Sequence, residues 1–331
     1  MLSSRYRCVT RSAALLGAVT LAACSSANPS SGGGGEPTQD ASLPPQDAPH
    51  GSGDSGTHGG SNVSRSFRFG IVGDTRPANE DDTAHYPTAI ITKIWADIAS
   101  SDADFAVSTG DYQFSNPSKS QAAAQLDLYM TARAQFTGKL YAAMGNHECT
   151  GYTASNCGAG NTDGVTKNYT AFMTKMVTPL GESRPYYATR FDAADGSYTA
   201  KLVVIAANAW DSAQATWLET ALADPTTYTF VVRHEDRTAN TAPGVTPSET
   251  IINAHPITLR IVGHTHTYTH YATDKEVVCG NGGAPLTSGT NYGYGIVEGL
   301  ADGAVQFTEY DYQTNAVLDQ FRVNADGLHA P

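Results

Sequence analysis

An α/β domain with its sheets inside and its helices outside is the fold class this sequence predicts. Three observations predict it. The front half alternates short apolar runs with segments of helical period. The tail is strand after strand. Beyond an N-terminal leader and linker, roughly 265 residues remain, enough for one large domain with a buried core. In chain order, Ser66 to Val72 reads as a buried strand, and Tyr86 to Ser100 carries Ile90, Ile91, Ile94, Trp95 and Ile98 at helical spacing. Phe105–Ser108 is a second strand, Gln121–Phe136 an Ala-rich helix, Leu140–Met144 a third strand and Tyr169–Met176 a helix. Strands follow at Tyr186–Phe191 and Lys201–Ala206, then a helix at Ala213–Leu222 and strands at Tyr228–Val232 and Thr258–Val262. The rest reads as strand at Val277–Cys279, Tyr294–Glu298, Ala304–Tyr310 and Val317–Arg322, and no internal repeat is evident. Trp95, Trp210 and Trp217 are expected in the core.

The chain has 331 residues, 40% hydrophobic and 16% charged, with a formal net charge of −12. Arg5, Arg7 and Arg11 all lie in the leader, so the remainder is three units more negative still. No basic block offsets that charge, which argues against a surface that grips nucleic acid by its phosphates. A small phosphorylated ligand stays compatible, because bound cations reverse the sign locally. A monomer is expected.

Residues 1–23 read as an export signal: a positive start, then an apolar core from Ala13 to Ala23 that is too short to span a bilayer. It ends in Leu21-Ala22-Ala23-Cys24, which resembles a bacterial lipobox and implies lipidation of Cys24 and a membrane-anchored lipoprotein facing the periplasm or cell surface. Plain secretion with cleavage nearby is the competing reading. Residues 24–65 hold the anchor and a Gly/Ser/Pro-rich tether, with a reach of about 35 Å as a random coil. The folded domain is expected over 66–331. Of five cysteines, Cys149 and Cys157 lie eight apart in a Gly- and Asn-rich loop, where an oxidising compartment favours a disulfide; Cys279 is expected buried and free.

Five short polar clusters each sit just past an expected strand. They are Gly73-Asp74-Thr75-Arg76, Gly110-Asp111-Tyr112, Gly145-Asn146-His147-Glu148, Arg233-His234-Glu235-Asp236 and Gly263-His264-Thr265-His266. Ligands collect at the carboxyl ends of strands in α/β sheets. Here those ends supply Asp, Asp, Asn and three His, a set of oxygen and nitrogen donors suited to Mn, Fe or Zn and poorly suited to Ca. Glycine before four of the five lets backbones turn tightly. Each cluster alone is a weak signal; their order, strand context and donor chemistry agree.

The order GD…GD…GNHE…H…GHTH resembles the calcineurin-like metallophosphoesterase superfamily, which includes the purple acid phosphatases. Cys279 to Pro285 also resembles a loop that follows the last motif in that class. The resemblance implies a four-layer α/β/β/α sandwich of mixed sheets and a centre of two divalent or mixed-valence ions (Mn, Fe or Zn) that hydrolyses phosphate esters. Asp111 would bridge the ions. Asp74 and His266 would complete the first position; Asn146, His234 and His264 the second. His147 would stand just outside, near a leaving group or phosphate oxygen, with Glu148 orienting it through a hydrogen bond. The chemistry is sound: cations about 3.5–4 Å apart clamp phosphoryl oxygens and acidify a water, so no nucleophilic side chain is needed.

Two positions depart from the pattern. The usual first motif is Asp-x-His, whose His binds the first ion; here it is Asp74-Thr75-Arg76. Purple acid phosphatases instead supply a Tyr three residues after the bridging Asp; here that residue is Phe114. Water, or Tyr112, His85 or His270, could fill the gap, or the first ion could bind weakly. Arg76 would either hold a phosphate oxygen or pair with Glu80, Asp81 or Asp82. The alternative to an enzyme is a catalytically degenerate scaffold that binds phosphate or another ligand at the cell surface.

Overall fold

The computed structural model describes residues 65–330 apart from Asn240 and Ser288. The expected signal at 1–23, the Cys24 anchor and the tether to residue 64 lie outside the described residues. No helix among the described residues is long and apolar enough to cross a membrane.

Two six-stranded sheets form the centre. The first contains β1 (Arg65–Val72), β2 (Phe105–Ser108), β3 (Lys139–Ala142), β10 (Gly293–Leu300), β11 (Val305–Asp311) and β12 (Val317–Val323), in the order β12-β11-β10-β1-β2-β3. The second contains β4 (Tyr187–Arg190), β5 (Ala200–Val204), β6 (Tyr228–Val232), β7 (Leu259–Val262), β8 (Tyr268–Tyr271) and β9 (Glu276–Cys279), in the order β4-β5-β6-β7-β9-β8. Both sheets are mixed. β1, β2 and β3 run parallel, as do β5, β6, β7 and β9, while the flanking strands pair antiparallel.

Strand alternation explains the layering. Phe67, Phe69 and Ile71 on β1, Phe105 and Val107 on β2, and Leu202 and Val204 on β5 all point into one core between the sheets. Phe69 stacks on Phe105 with centroids 5.0 Å apart and meets Phe230 of the opposite sheet edge-on at 5.2 Å. Burial of each such ring contributes roughly 1.5–3 kcal/mol. The alternate residues face outward. Ala106, Leu140 and Ile296 meet α1 (Thr88–Ser100), α2 (Gln121–Ala132) and α3 (Lys167–Phe172). Val203, Ile205 and Val231 meet Leu218 and Leu222 of α4 (Ser212–Ala223) and Ile252 of α5 (Val245–Ile252). The result is the expected four-layer α/β/β/α sandwich.

Local chemistry sets the boundaries. α1 starts at Thr88 rather than Tyr86, because Pro87 pushes the residue before it out of helical conformation. It buries Ile91, Ile94, Trp95 and Ile98 on one face. α3 is capped by the Thr166 hydroxyl, which accepts from the Tyr169 N–H, and continues as a π turn over Met173–Val177. Two elements were not expected. α5 contains Pro247, which reads as a helix breaker but sits in the first turn, where its missing N–H has no partner to lose. β8 is a four-residue edge strand, half-buried to exposed, inside a run whose histidines dominate its reading.

Cys149 and Cys157 form the expected disulfide, and Cys279 is buried and free. Trp95 is fully buried, while Trp210 and Trp217 pack partly buried against the α4 core.

Glu309 on β11 is fully buried and accepts from Asn281 Nδ2 at 2.8 Å. Burial pushes its pKa up to about 8 from an ordinary 4.5. The folded protein therefore keeps this proton where the unfolded chain has released it. The stabilisation is complete below about pH 4.5 and is lost as pH rises toward 8, at about 1.4 kcal/mol per unit. Between pH 5 and pH 8 the wild type should lose roughly 3–4 kcal/mol more than Glu309→Gln in urea unfolding. Parallel losses in the two proteins would show that Glu309 is not the source.

Candidate metal centre

The five clusters leave the C-terminal ends of β1, β2, β3, β6 and β7, so within each sheet parallel pairing brings their loops side by side. Within each sheet the loops are stapled by backbone bonds: Asp74 N–H to Gly110 O at 3.0 Å, and Gly263 N–H to His234 O at 2.8 Å. Across the sheets, His264 N–H donates to Asp74 Oδ2 at 2.9 Å, and His234 Nδ1 lies 2.9 Å from Thr109 O. Close approach demands glycine at two of these turns. A Cβ on Gly145 would stand 2.3 Å from Asp111 Oδ1, and one on Gly263 2.4 Å from Asp74 Oδ2. Asp74, Asp111, His264 and His266 themselves take left-handed backbone angles, with φ of 53°, 58°, 74° and 52°.

Three ligand-type atoms crowd round one ring nitrogen of His234. The partner of His234 Nδ1 is a carbonyl, so that nitrogen carries a proton and Nε2 is the one turned to the centre. Nε2 lies 3.3 Å from Asp111 Oδ1, 3.2 Å from Asn146 Oδ1 and 3.1 Å from His264 Nδ1. Asn146 spends its amide N–H on Gly151 O at 2.7 Å, which leaves its oxygen facing inward. Such a cluster of oxygen and nitrogen atoms is held together by positive charge, supplied by a proton on Nε2 or by a bound cation. The charge balance says the same. Burial depresses the His234 ring, but Asp111 and Asp74 outweigh it and raise its pKa well above the ordinary value. Burial also lowers His264 to about 4, so that ring is neutral at neutral pH and has a nitrogen lone pair to offer.

Beside this point, Asp74, Asp111 and His266 each place one ligand atom within 4.8 Å of the others. His266 Nδ1 is tied to Pro285 O at 2.8 Å, which turns Nε2 toward Asp74 Oδ1, 3.6 Å away. That oxygen is buried without a hydrogen-bond partner, and burial pushes the Asp74 pKa up to about 8. Asp111 behaves oppositely: burial pushes it up, but His234 and His147 outweigh burial and hold its carboxyl well below the usual range. Two positions for cations thus share the Asp111 carboxylate. Oxygen and nitrogen donors with an orphaned buried carboxylate oxygen fit Mn, Fe or Zn.

A family model described as calcineurin-like phosphoesterase matches residues 67–268, and every cluster above falls inside that span. The chain belongs to the calcineurin-like phosphoesterases. A purple acid phosphatase from yellow lupin (Lupinus luteus) is similar in structure, with a TM-score of 0.56 and 16% identity over 77% of this chain; the chain spans 53% of that enzyme. A dimetal phosphatase from Danio rerio is similar at a TM-score of 0.55 and 10% identity, over 79% of this chain and 100% of that one. At these identities the likeness speaks for the fold. No curated protein matches the sequence.

In this calcineurin-like phosphoesterase all nine expected site residues lie in the loops just described, but two make contacts the sequence did not suggest. Glu148 does not hold the His147 ring through its carboxylate. The carboxylate instead accepts from the backbone N–H groups of Asp111, Tyr112 and Gly145, at 2.8, 2.9 and 2.9 Å. Burial and then Asp111 push its pKa up to about 7. His147 Nδ1 has no partner; the ring meets Phe114 edge-on at 4.6 Å with Nε2 3.9 Å from Asp111 Oδ2, and burial lowers its pKa to about 3. Its backbone carbonyl is fixed by Gln113 Nε2 and Asn168 Nδ2.

Arg76 joins the centre rather than the surface carboxylates. Asp81 pairs with Lys119 and Asp82 with His85. The guanidinium instead lies 4.9 Å above the Phe114 ring, with Nη2 3.4 Å from His266 Nε2 and Nε 3.7 Å from Asp111 Oδ2. The other candidates for the missing ligand are engaged elsewhere. The Tyr112 hydroxyl donates to Ala143 O in the core, His85 is held by Asp82, and His270 stacks on Phe321.

Proposed function

We propose that this chain is a metal-dependent hydrolase of phosphate esters. The observation that carries the reading is the gathering of His264, Asn146 and Asp111 ligand atoms round His234 Nε2, beside Asp74 and His266. Asp111, Asn146, His234 and His264 would hold one cation, and Asp74, Asp111 and His266 face the adjoining position. Bound cations supply Lewis acidity: they offset phosphoryl charge and acidify water. The chain supplies the rest. Arg76 offers a charged planar donor to a phosphate oxygen. His147, neutral and 7% exposed at the rim, is placed to hydrogen-bond a leaving oxygen. Thr109 O and Pro285 O fix which nitrogen of His234 and His266 faces inward. The substrate would be a small phosphorylated molecule, processed by a monomer tethered to a membrane through lipidated Cys24 and exposed to the periplasm or exterior.

Purified protein loaded with Mn²⁺ or Zn²⁺ should hydrolyse aryl phosphate mono- or diesters. A folded, metal-loaded protein that binds phosphate but turns over neither class would leave the binding-scaffold reading in its place.

A further inference from the structure

We propose that the centre holds a single metal ion, at Asp111, Asn146, His234 and His264, and that the Arg76 guanidinium serves as the other positive charge. This deepens the phosphoesterase reading and rests on it for the chemistry, but its evidence is separate.

The two halves of the centre differ in what their lone pairs face. Around His234 Nε2 the close neighbours are the ligand-type atoms Asp111 Oδ1, Asn146 Oδ1 and His264 Nδ1, at 3.3, 3.2 and 3.1 Å, a set that one metal ion can hold together. Around His266 Nε2 the neighbour at 3.4 Å is a donor, Arg76 Nη2, while Arg76 Nε lies 3.7 Å from Asp111 Oδ2. Two of the residues that would hold the first ion, His266 and Asp111, already face this guanidinium, while Asp74 Oδ1, 3.6 Å from His266 Nε2, has no hydrogen-bond partner. Nη1 donates to Pro77 O at 3.1 Å and fixes the plane of the fork.

The sequence departures agree independently. The first position lacks both residues that complete it in related patterns, a His at 76 and a Tyr at 114. The residues present in their place touch each other, with the Arg76 guanidinium over the Phe114 ring at 4.9 Å. A phenyl ring cannot ligate a metal, but it can support a cation on its face. The exchange is thus paired: two ligands are gone, and one cation with its platform has arrived. An ion beside Arg76 would meet a like charge with three protein ligands, against four at the other position. Phosphate would then be held between one metal ion and a planar two-pronged donor.

The test is metal stoichiometry. Full-length protein is stripped, reloaded with Mn²⁺, desalted, and assayed for metal content and by electron paramagnetic resonance. The wild type should hold one ion per chain with an uncoupled spectrum. Arg76→His, which rebuilds the Asp-x-His pattern, should double the content and show an exchange-coupled pair. His264→Ala should release the wild-type ion, whereas His266→Ala should retain it. Two ions in the wild type, no ion, or loss in His266→Ala with retention in His264→Ala would overturn the proposal, and the wild-type count alone decides if Arg76→His does not fold. One bound ion without hydrolysis of any ester would sink the hydrolase reading and spare this one; two ions with hydrolysis would do the reverse.

Discussion

Asp111→Asn should cut phosphate-ester hydrolysis by about 10³-fold and strip the centre of most of its metal. The substitution keeps the shape. An amide oxygen at this place can still accept from His147 N–H, as Oδ1 does now at 3.1 Å. What disappears is the negative charge on which both halves of the centre depend. Oδ1 stands 3.3 Å from His234 Nε2, and Oδ2 faces Arg76 and His147. Losing an interaction of several kcal/mol with a cation corresponds to thousands-fold in rate at about 1.4 kcal/mol per factor of ten. Turnover and metal content measured on the same preparation check this. A variant that keeps full metal and more than about a tenth of the rate would remove Asp111 from its assigned place.

Glu148→Ala should be among the most destabilising single changes in the domain, by about 3–5 kcal/mol. The carboxylate is fully buried and is the acceptor for three backbone N–H groups, on Asp111, Tyr112 and Gly145. Each buried donor left unmet costs about 1–3 kcal/mol, and water entering the gap recovers part of the sum. In a domain of this size that amounts to a fall in Tm of about 10 °C. Glu148→Gln keeps one carbonyl oxygen and should lose roughly half as much. Calorimetry of the metal-free proteins isolates the effect from ligand binding. An alanine variant within about 1 kcal/mol of wild type would show that Glu148 does not brace these loops.

The architecture was legible because alternation and helical period report burial directly. Phe67, Phe69 and Ile71 alternate on β1, and Ile91, Ile94, Trp95 and Ile98 share one face of α1. Donor identities were legible too, since Asp, Asn and His past strand ends are visible as letters. What positions them was not. Thr109 O and Pro285 O choose the tautomers of His234 and His266, and a backbone carbonyl has no letter of its own. The family resemblance implied that Glu148 orients the His147 ring; a turn of 3₁₀ helix over Asn146–Glu148 sends its carboxylate to the loop after β2 instead. Arg76 read equally well as a surface partner, because three acidic residues follow it. Its side chain reaches across to Phe114, a neighbour 38 positions away that no local pattern reveals.

The left-handed backbones of Asp74, Asp111, His264 and His266 carry a further consequence. Side chains with a Cβ are uncomfortable there, whereas glycine is at ease. The chemistry and the chain therefore pull in opposite directions at the same four residues. Glycine at these positions would ease the backbone but remove every ligand atom the four residues bring to the proposed centre. Four side chains kept where glycine would sit more easily are strain concentrated at the proposed centre, and it is offset by the packing of the two sheets beneath.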